Sequence, residues 1–445
     1  MSFHDRRPPM RNRPLLLAAT TAAIAVALTG CAFGGGAPAA QSLAPTAKAS
    51  GSITVWSWDV AATALKRLAK QYEAAHAGTK IDVVDIGYDN AYDKISVGLQ
   101  AGTGLPDLIT METDHNQGYI TQFPKGFVDL NPVMGAQKAD FDPFKWAAGN
   151  DKGGHLRVAP WDSGTVALYY RTDYAKQAGV DIAAAKTWDD LVAAGRTIKA
   201  KTGHTLLSSD LSAGGPFTMM LQQNGEGVFN AAGEITVNSP EAVKVLTLIQ
   251  TMNKDGLIKN VKGWDAEVSS AKKGDSATTP NAVWWTGTLT REAAEHSGAY
   301  AVVPLPLVDA SSAPTSNSGG SGLAIPAQAK NPQLAAAFLT SVLADKQNQA
   351  SMMKDEGLFP AYLPALKTPY FAQPQEYFGG QKVYQTFAEL TPQIKPISFT
   401  SDYAKASDIV ANAVQAAVLN GQDPKAALDS AAQQIATATG RKIAG

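Results

Sequence analysis

"SITVWSWDVAATALKRLAKQYEAAHAGTKIDVVDI" (Ser52–Ile86) decides the fold. Its opening alternates as a strand does, with successive side chains on opposite faces. Leu65, Leu68, Ala69 and Tyr72 then recur at helical spacing, and Gly78 supplies a stop. "KIDVVDI" (Lys80–Ile86) is a second strand. Moving outward, "AYDKISVGLQAG" (Ala91–Gly102) places Tyr92, Ile95 and Leu99 on one helical stripe, and "PDLITM" (Pro106–Met111) is a third strand. Strand–helix–strand–helix–strand predicts parallel strands with right-handed crossovers, an α/β architecture.

Ligands of open parallel sheets bind beyond the carboxyl ends of the strands. Here those ends carry Trp58 and Asp59, then Tyr88, Asp89 and Asn90, then Glu112, Asp114 and His115. An aromatic and several carboxylates are expected to meet at one edge. The plain alternative is solvated loop charge beside one packed ring.

"HLRVAPWDSGTVALYYR" (His155–Arg171) reads as two strands broken at Trp161–Gly164. Such a break suits a crossover to a second lobe, with Trp161 and Asp162 at the mouth. Beyond it, "TWDDLVAAGRTIKAKTGH" (Thr187–His204) is a helix capped by Thr187. "NAVWWTGTLT" (Asn281–Thr290) reads as a strand ending in two tryptophans. Strand neighbours face opposite ways, so Trp285, nearer the carboxyl end, is expected at the cleft and Trp284 in the core. "GAYAVVPLPL" (Gly298–Leu307) is a strand that returns to the first lobe. Lobe 1 is thus expected over 52–161 plus 304–354, and lobe 2 over 162–303 plus 355–445.

The N-terminus stands apart. Arg6, Arg7, Arg11 and Arg13 precede the apolar run "PLLLAATTAAIAVALTGC" (Pro14–Cys31), which is too short for a spanning helix. Residues 1–30 read as a lipoprotein export signal. "LTGC" (Leu28–Cys31) resembles a bacterial lipobox, which implies lipid on Cys31, the one cysteine of the chain. The Pro/Gly-rich residues 31–51 then form a tether to the outer face of a membrane.

Lys and Arg number 38 against 39 Asp and Glu, a balance that argues against nucleic-acid binding. Metal motifs are absent: the six His are scattered, with no His-Glu-x-x-His. No glycine-rich phosphate or dinucleotide loop is complete, so no cofactor is expected. "SAKK" (Ser270–Lys273), "SMMK" (Ser351–Lys354) and "KTG" (Lys201–Gly203) stand in the wrong order for an acyl-transferring serine enzyme. A secreted glycosidase needs two carboxylates across a bond, and Asp59, Asp89, Glu112, Asp114 and Asp162 are candidates; the eight-fold strand–helix repeat of a barrel is missing.

In order and spacing, "ITVWSWD", "AGTGLPDLITM", "APWDSGTVALYYR", "KTWDDLVAAGRTI", "NAVWWTG", "GGSGLAIPAQAKNPQLAAAFLTSVL" and "GLFPA" resemble the extracellular solute-binding proteins of carbohydrate ABC importers, the group that includes maltodextrin-binding proteins. The resemblance implies a two-lobed periplasmic-binding-protein fold, each lobe a mixed or parallel sheet flanked by helices, joined by hinge crossovers. It implies a binding protein, not an enzyme, that takes a neutral di- or oligosaccharide and partners permease subunits as a monomer. It carries ligand contacts onto Trp58, Asp59, Asp114, Trp161, Asp162, Trp284 or Trp285, and Tyr362. A lysine found in some members after the first-strand acid is replaced by Val60. An indole covers the apolar face of a sugar ring, and carboxylates accept its hydroxyls. A peptide or polyamine ligand is the alternative, with the acids pairing amines.

Overall fold

The computed structural model describes Leu43 and Ala49–Gly445, with backbone alone at 88–90. The strands are β1 (Gly51–Ser57), β2 (Thr79–Asp85), β3 (Leu108–Glu112), β4 (Ala159–Pro160), β5 (Val166–Arg171), β6 (Thr205–Ser209), β7 (Ile258–Asn260), β8 (Ser276–Ala282), β9 (Tyr300–Val303) and β10 (Ser321–Ala324). They form two five-stranded sheets, β2-β1-β3-β10-β4 and β7-β6-β8-β5-β9. Helices α1 (Asp59–Ala75), α2 (Tyr88–Ala101) and α3 (Thr113–Gln122) follow β1, β2 and β3.

The expected parallel unit is present. β1 pairs parallel with β2 from Gly51↔Thr79 to Ser57↔Asp85, and parallel with β3 on its other side. α1 buries Leu65, Leu68, Ala69 and Tyr72, the stripe read from the sequence, against a core that includes Ile53, Val55 and Phe338. Antiparallel β10 completes the sheet between β3 and β4.

The second sheet is buried on both faces. Val166 and Leu168 of β5 enter one core with Trp188, Phe217, Leu246 and Leu428, while Ala167 and Tyr169 enter another with Trp285, Phe378 and Phe387. The helix Trp188–Thr202 begins as expected. Thr187 accepts from the Asp190 N–H, and Asp190 accepts from the Thr187 N–H, a reciprocal capping box.

The chain does not return to the first lobe through Gly298–Leu307. β9 pairs antiparallel with β5, and Leu305 and Val308 pack in the second core. The return comes later, through Ser316–Ser321. Apolar burial decides the boundary: Leu305 and Val308 have hydrophobic partners only where the second core lies. The crossing toward the C-terminal region is shared. Met352 and Ala361 pack in the first core, and Met353 and Phe359 beside the second sheet.

The two central crossovers run side by side. Ser318 N–H donates to Gly164 O at 2.8 Å, and Val166 N–H to Ser316 O at 3.0 Å. Gly164 is required by this approach, because a Cβ built there would overlap the Ser318 carbonyl. Gly164→Ala should destabilise the fold by about 1–3 kcal/mol, as overpacking does. Denaturant unfolding checks this; an unchanged midpoint would mean that the ribbon yields freely.

Candidate functional site

The site is built at the carboxyl edges of the two sheets. At the end of β1, Trp58 is buried, with its ring 5.9 Å from Tyr92. Tyr92 stacks on His115 at 3.9 Å and 11°, and its hydroxyl accepts from the Glu112 N–H. Asp59 follows, exposed, with φ 45°, the one non-glycine residue with positive φ among the described residues. Such a conformation costs of order 1–3 kcal/mol and is concentrated at functional sites. The side chain of Asp89 lies outside the described residues, as does Cys31.

Asp114 opens α3, with its carboxylate 2.8 Å from His115 Nδ1. Burial pushes the Asp114 carboxyl up, but the His115 hydrogen bond and charge overcome it, so it lies below its ordinary value. Burial pushes His115 down, and Asp114 with Glu112 carries it above its ordinary value. Glu112, Asp114 and His115 bring donor atoms within 4.8 Å of one another. They are a compact set of acceptors and one imidazole beside an aromatic stack.

Across the second sheet, the tryptophan pair differs from expectation. β8 stops at Ala282, Val283 and Trp284 turn, and Trp285 starts the helix Trp285–Glu292. The alternation of a strand therefore does not sort the two rings. Trp285, expected at the cleft, is fully buried against Val283, Leu289 and Phe359. Trp284, expected in the core, is half-buried and donates its indole N–H to Ser318 O at 3.2 Å. The open ring is a third one. Trp264 is 50% exposed, with its centroid 5.7 Å from Trp284 and 5.6 Å, edge-on, from Trp285. Sequence reasoning missed it; its signal is Gly263-Trp264 at the start of the helix Trp264–Lys273.

That helix also presents Glu267, which accepts from Asn281 Nδ2 at 3.2 Å. Burial, with the charge of Asp210 added, pushes Glu267 up to about 7. Asp210 itself accepts from the Gly263 N–H at 2.7 Å.

The crossover residues are engaged internally. Trp161, expected at the mouth, is buried in the first core and donates to Met352 Sδ. Tyr362 packs its ring 5.1 Å from Phe141 beside the same core. Asp162 accepts from the Ser321 N–H at 2.7 Å. Its carboxyl is raised by burial and drawn back by the charge of Lys145. Lys145 is buried, and its ammonium donates to Thr113 Oγ1 at 2.9 Å and to Gly319 O. Asp142, also buried, accepts from Ser163 Oγ at 2.7 Å and from the Lys145 N–H.

A cavity of about 160 Å³ lies directly above this knot. Thr113 and Asp114 line one side, Thr218, Gln222 and Tyr403 the other, and Asn317–Gly319 the floor. Burial, then the charge of Asp114, raises the Tyr403 hydroxyl above its ordinary value, so it stays protonated as a donor. Tyr403, Gln222 and Thr218 were not found from sequence, because distant helices deliver them. A larger cavity of about 650 Å³ is lined by Val60 and Thr63 of α1, Thr286 and Thr290, and Tyr370 and Tyr384. Of the expected residues, the structure thus brings Asp114 to the smaller cavity, with Trp284 bonded to its floor, and sets Asp59 beside a residue of the larger one.

Two sheets, paired crossovers and cavities walled from both sides define a two-lobed binding protein. The chain belongs to the bacterial extracellular solute-binding protein family, whose profile matches residues 67–378. It is 30% identical over 372 residues to the lactose-binding protein of Rhizobium radiobacter, covering 81% of this chain and 87% of that one. It is 26% identical over 368 residues to the arabinooligosaccharide-binding protein of Bacillus subtilis, covering 80% and 84%. The structure of the sugar-binding protein MalE from Xanthomonas citri shares the fold, with a TM-score of 0.74 at 19% identity over 86% of this chain and 96% of that one. The family resemblance read from the sequence is borne out. The chain is extracytoplasmic, as its family is, and among the described residues no helix is long and apolar enough to cross a membrane.

The raised Glu267 has a signed consequence. A carboxyl raised in the folded state contributes stability fully below its unfolded value and loses it as pH rises through the folded value. The window runs from the ordinary 4.5 to about 7. Glu267→Gln should therefore match the parent near the acid end and unfold at higher temperature than the parent above neutrality. Thermal melts across pH check this; parallel profiles would show that Glu267 is ionised freely in the fold.

Proposed function

We propose that this protein captures a neutral di- or oligosaccharide between its lobes and delivers it to the permease subunits of an ABC importer, acting as a monomer. The observation that carries the reading is the pairing of hydroxyl partners with an open indole. Asp114 and Tyr403 offer an acceptor and a donor around one cavity, with His115 bonded to Asp114, while Trp264 leans on Trp284, whose N–H is bonded to that cavity's floor. A sugar ring has an apolar face for the indole and a rim of hydroxyls that must regain partners when buried. The names of the relatives, lactose-binding and arabinooligosaccharide-binding, support the same class.

The charges favour a neutral ligand. Asp114 is answered by His115, and Asp162 by Lys145, so the cavity offers no spare cation for a phosphate or carboxylate. Asp59 and Trp284 complete the proposed contacts, and Trp161 and Tyr362 support them from the core. Capture involves closure of the lobes, the hinge motion general to periplasmic binding proteins. The bodies that move are 52–161 with the segment after Ser321 to about 354, and the remainder.

Titration calorimetry against a panel of di- and oligosaccharides tests the reading. Trp264→Ala should weaken sugar binding roughly tenfold with little loss of stability, the worth of one stacked ring. Trp285→Ala should chiefly destabilise, by about 3–5 kcal/mol. If Trp264→Ala binds normally, the platform lies elsewhere.

Lipid on Cys31 is proposed as the anchor. Cys31→Ser should release the protein from the membrane fraction, and equal partition of both forms would refute the anchor.

A further inference from the structure

The cleft continues past Phe399. A second cavity, about 410 Å³, shares Ile397 and Phe399 with the first in its lining. One helix face connects the two. Asp114 lines the first cavity, and Gln117 and Thr121 line the second. Their spacing of three and four residues puts them on one side of α3. Seven residues of helix advance about 10 Å, more than a single compact contact. The segment 396–401 runs opposite, near enough that a Cβ on Gly118 would lie 3.7 Å from Ser401 Cα. Phe399 sets its ring edge-on to Tyr403 at 4.6 Å, at the junction of the two spaces.

The sizes point to an extended ligand. The first cavity, at about 160 Å³, falls short of the roughly 300–1,000 Å³ that ligand sites occupy, and the second extends it into that range.

Two of the charges that line the second cavity, Asp151 and Arg441, are paired within the protein, and Lys152 lines it as well. Asp151 is taken by Arg157 at 2.9 Å, and Arg441 by Asp402 at 2.8 Å. Lys152 stands exposed toward solvent. Amides and hydroxyls share the lining, Asn150, Asn230, Ser398 and Thr400, with the Phe399 ring among them. Gln117 is held in place by donating to Ala148 O and Asn150 O at 2.9 and 2.7 Å. A lining with hydroxyls, amides and one aromatic ring suits a polyhydroxyl chain.

We infer that the second cavity receives the further units of a linear neutral oligosaccharide, so that the protein prefers trisaccharides and longer chains to disaccharides. The inference rests on the sugar reading of the first cavity. The ligand enters with one unit beside Asp114 and Tyr403, passes Phe399, and lies along Gln117 and Thr121.

Calorimetry on the intact chain tests this with malto-, β-galacto- and arabino-oligosaccharides of two to five units. In the series that binds, affinity should rise roughly tenfold from the disaccharide to the trisaccharide, the worth of a few new hydrogen bonds. Thr121→Trp, at an exposed helix position, should fill the second cavity. It should abolish the gain with length, weakening trisaccharides and longer chains more than disaccharides. Thr121→Ala should keep the gain. Affinity independent of length, or an equal loss at all lengths in Thr121→Trp, would overturn the inference and leave the sugar reading standing. No binding of any sugar at any length would overturn both.

Discussion

Lys145 is the constraint on which the two-lobed arrangement depends. A buried ammonium is expensive to desolvate, and only close counter-charges and acceptors hold it charged. Here burial lowers its affinity for the proton, and Asp162 and then Asp142 oppose that. Each partner belongs to a segment that must be held. Asp162 lies on the outgoing crossover, Gly319 on the returning one, and Thr113 at the start of α3. Gly320 is needed beside it, with φ 90° and no room for a Cβ between Lys145 and the Asp162 carbonyl. The two crossovers also bond to each other, so they act as one two-stranded ribbon rooted in the first lobe.

The same knot positions the candidate site. Thr113 and Gly319 both take a hydrogen bond from Lys145 and both line the smaller cavity. The floor of the cleft is therefore also the anchor of the hinge. On the far wall the order comes from aromatic packing instead. Trp285 is the buried post, Trp284 is tied to Ser318, and Trp264 leans on both with half its surface free. A ring held in this way loses little freedom on meeting a ligand, which is what preorganisation contributes to affinity.

Much of the first lobe was legible because its signals are local. The 2.0 and 3.6 periods of Ser52–Ile86 and the Thr187 cap depend on residues a few positions apart. The tryptophan pair was misread for a local reason too: the strand ends three residues early, and a helix start replaces the strand alternation. Asp162 and Trp161 were correctly set at a crossover, but their partners, Ser321 and Met352, lie more than 150 residues away. No periodicity reports such pairing. Lys145 has no sequence signal at all, since a lysine in a short helix reads as solvated. Tyr403 and Gln222 were hidden similarly, because packing of the helices Tyr403–Val418 and Phe217–Gln223 on the second core brings them to the cleft.

The acids near the cleft are held in two different ways. A carboxylate pair recruits an amine when its charge is unanswered. Asp114 has His115 at 2.8 Å and feels Lys145, which is why its carboxyl stays low despite burial. Glu267 takes the other route: no cation answers it, and burial beside Asp210 holds the proton on up to about pH 7. The first cluster thus sets Asp114 and Glu112 against one imidazole, and Glu267 stands apart with its carboxyl raised by burial. A protonated carboxyl donates as well as accepts, as a hydroxyl does. Carboxyl, imidazole and tyrosine groups of this kind are matched by a ligand with many hydroxyls.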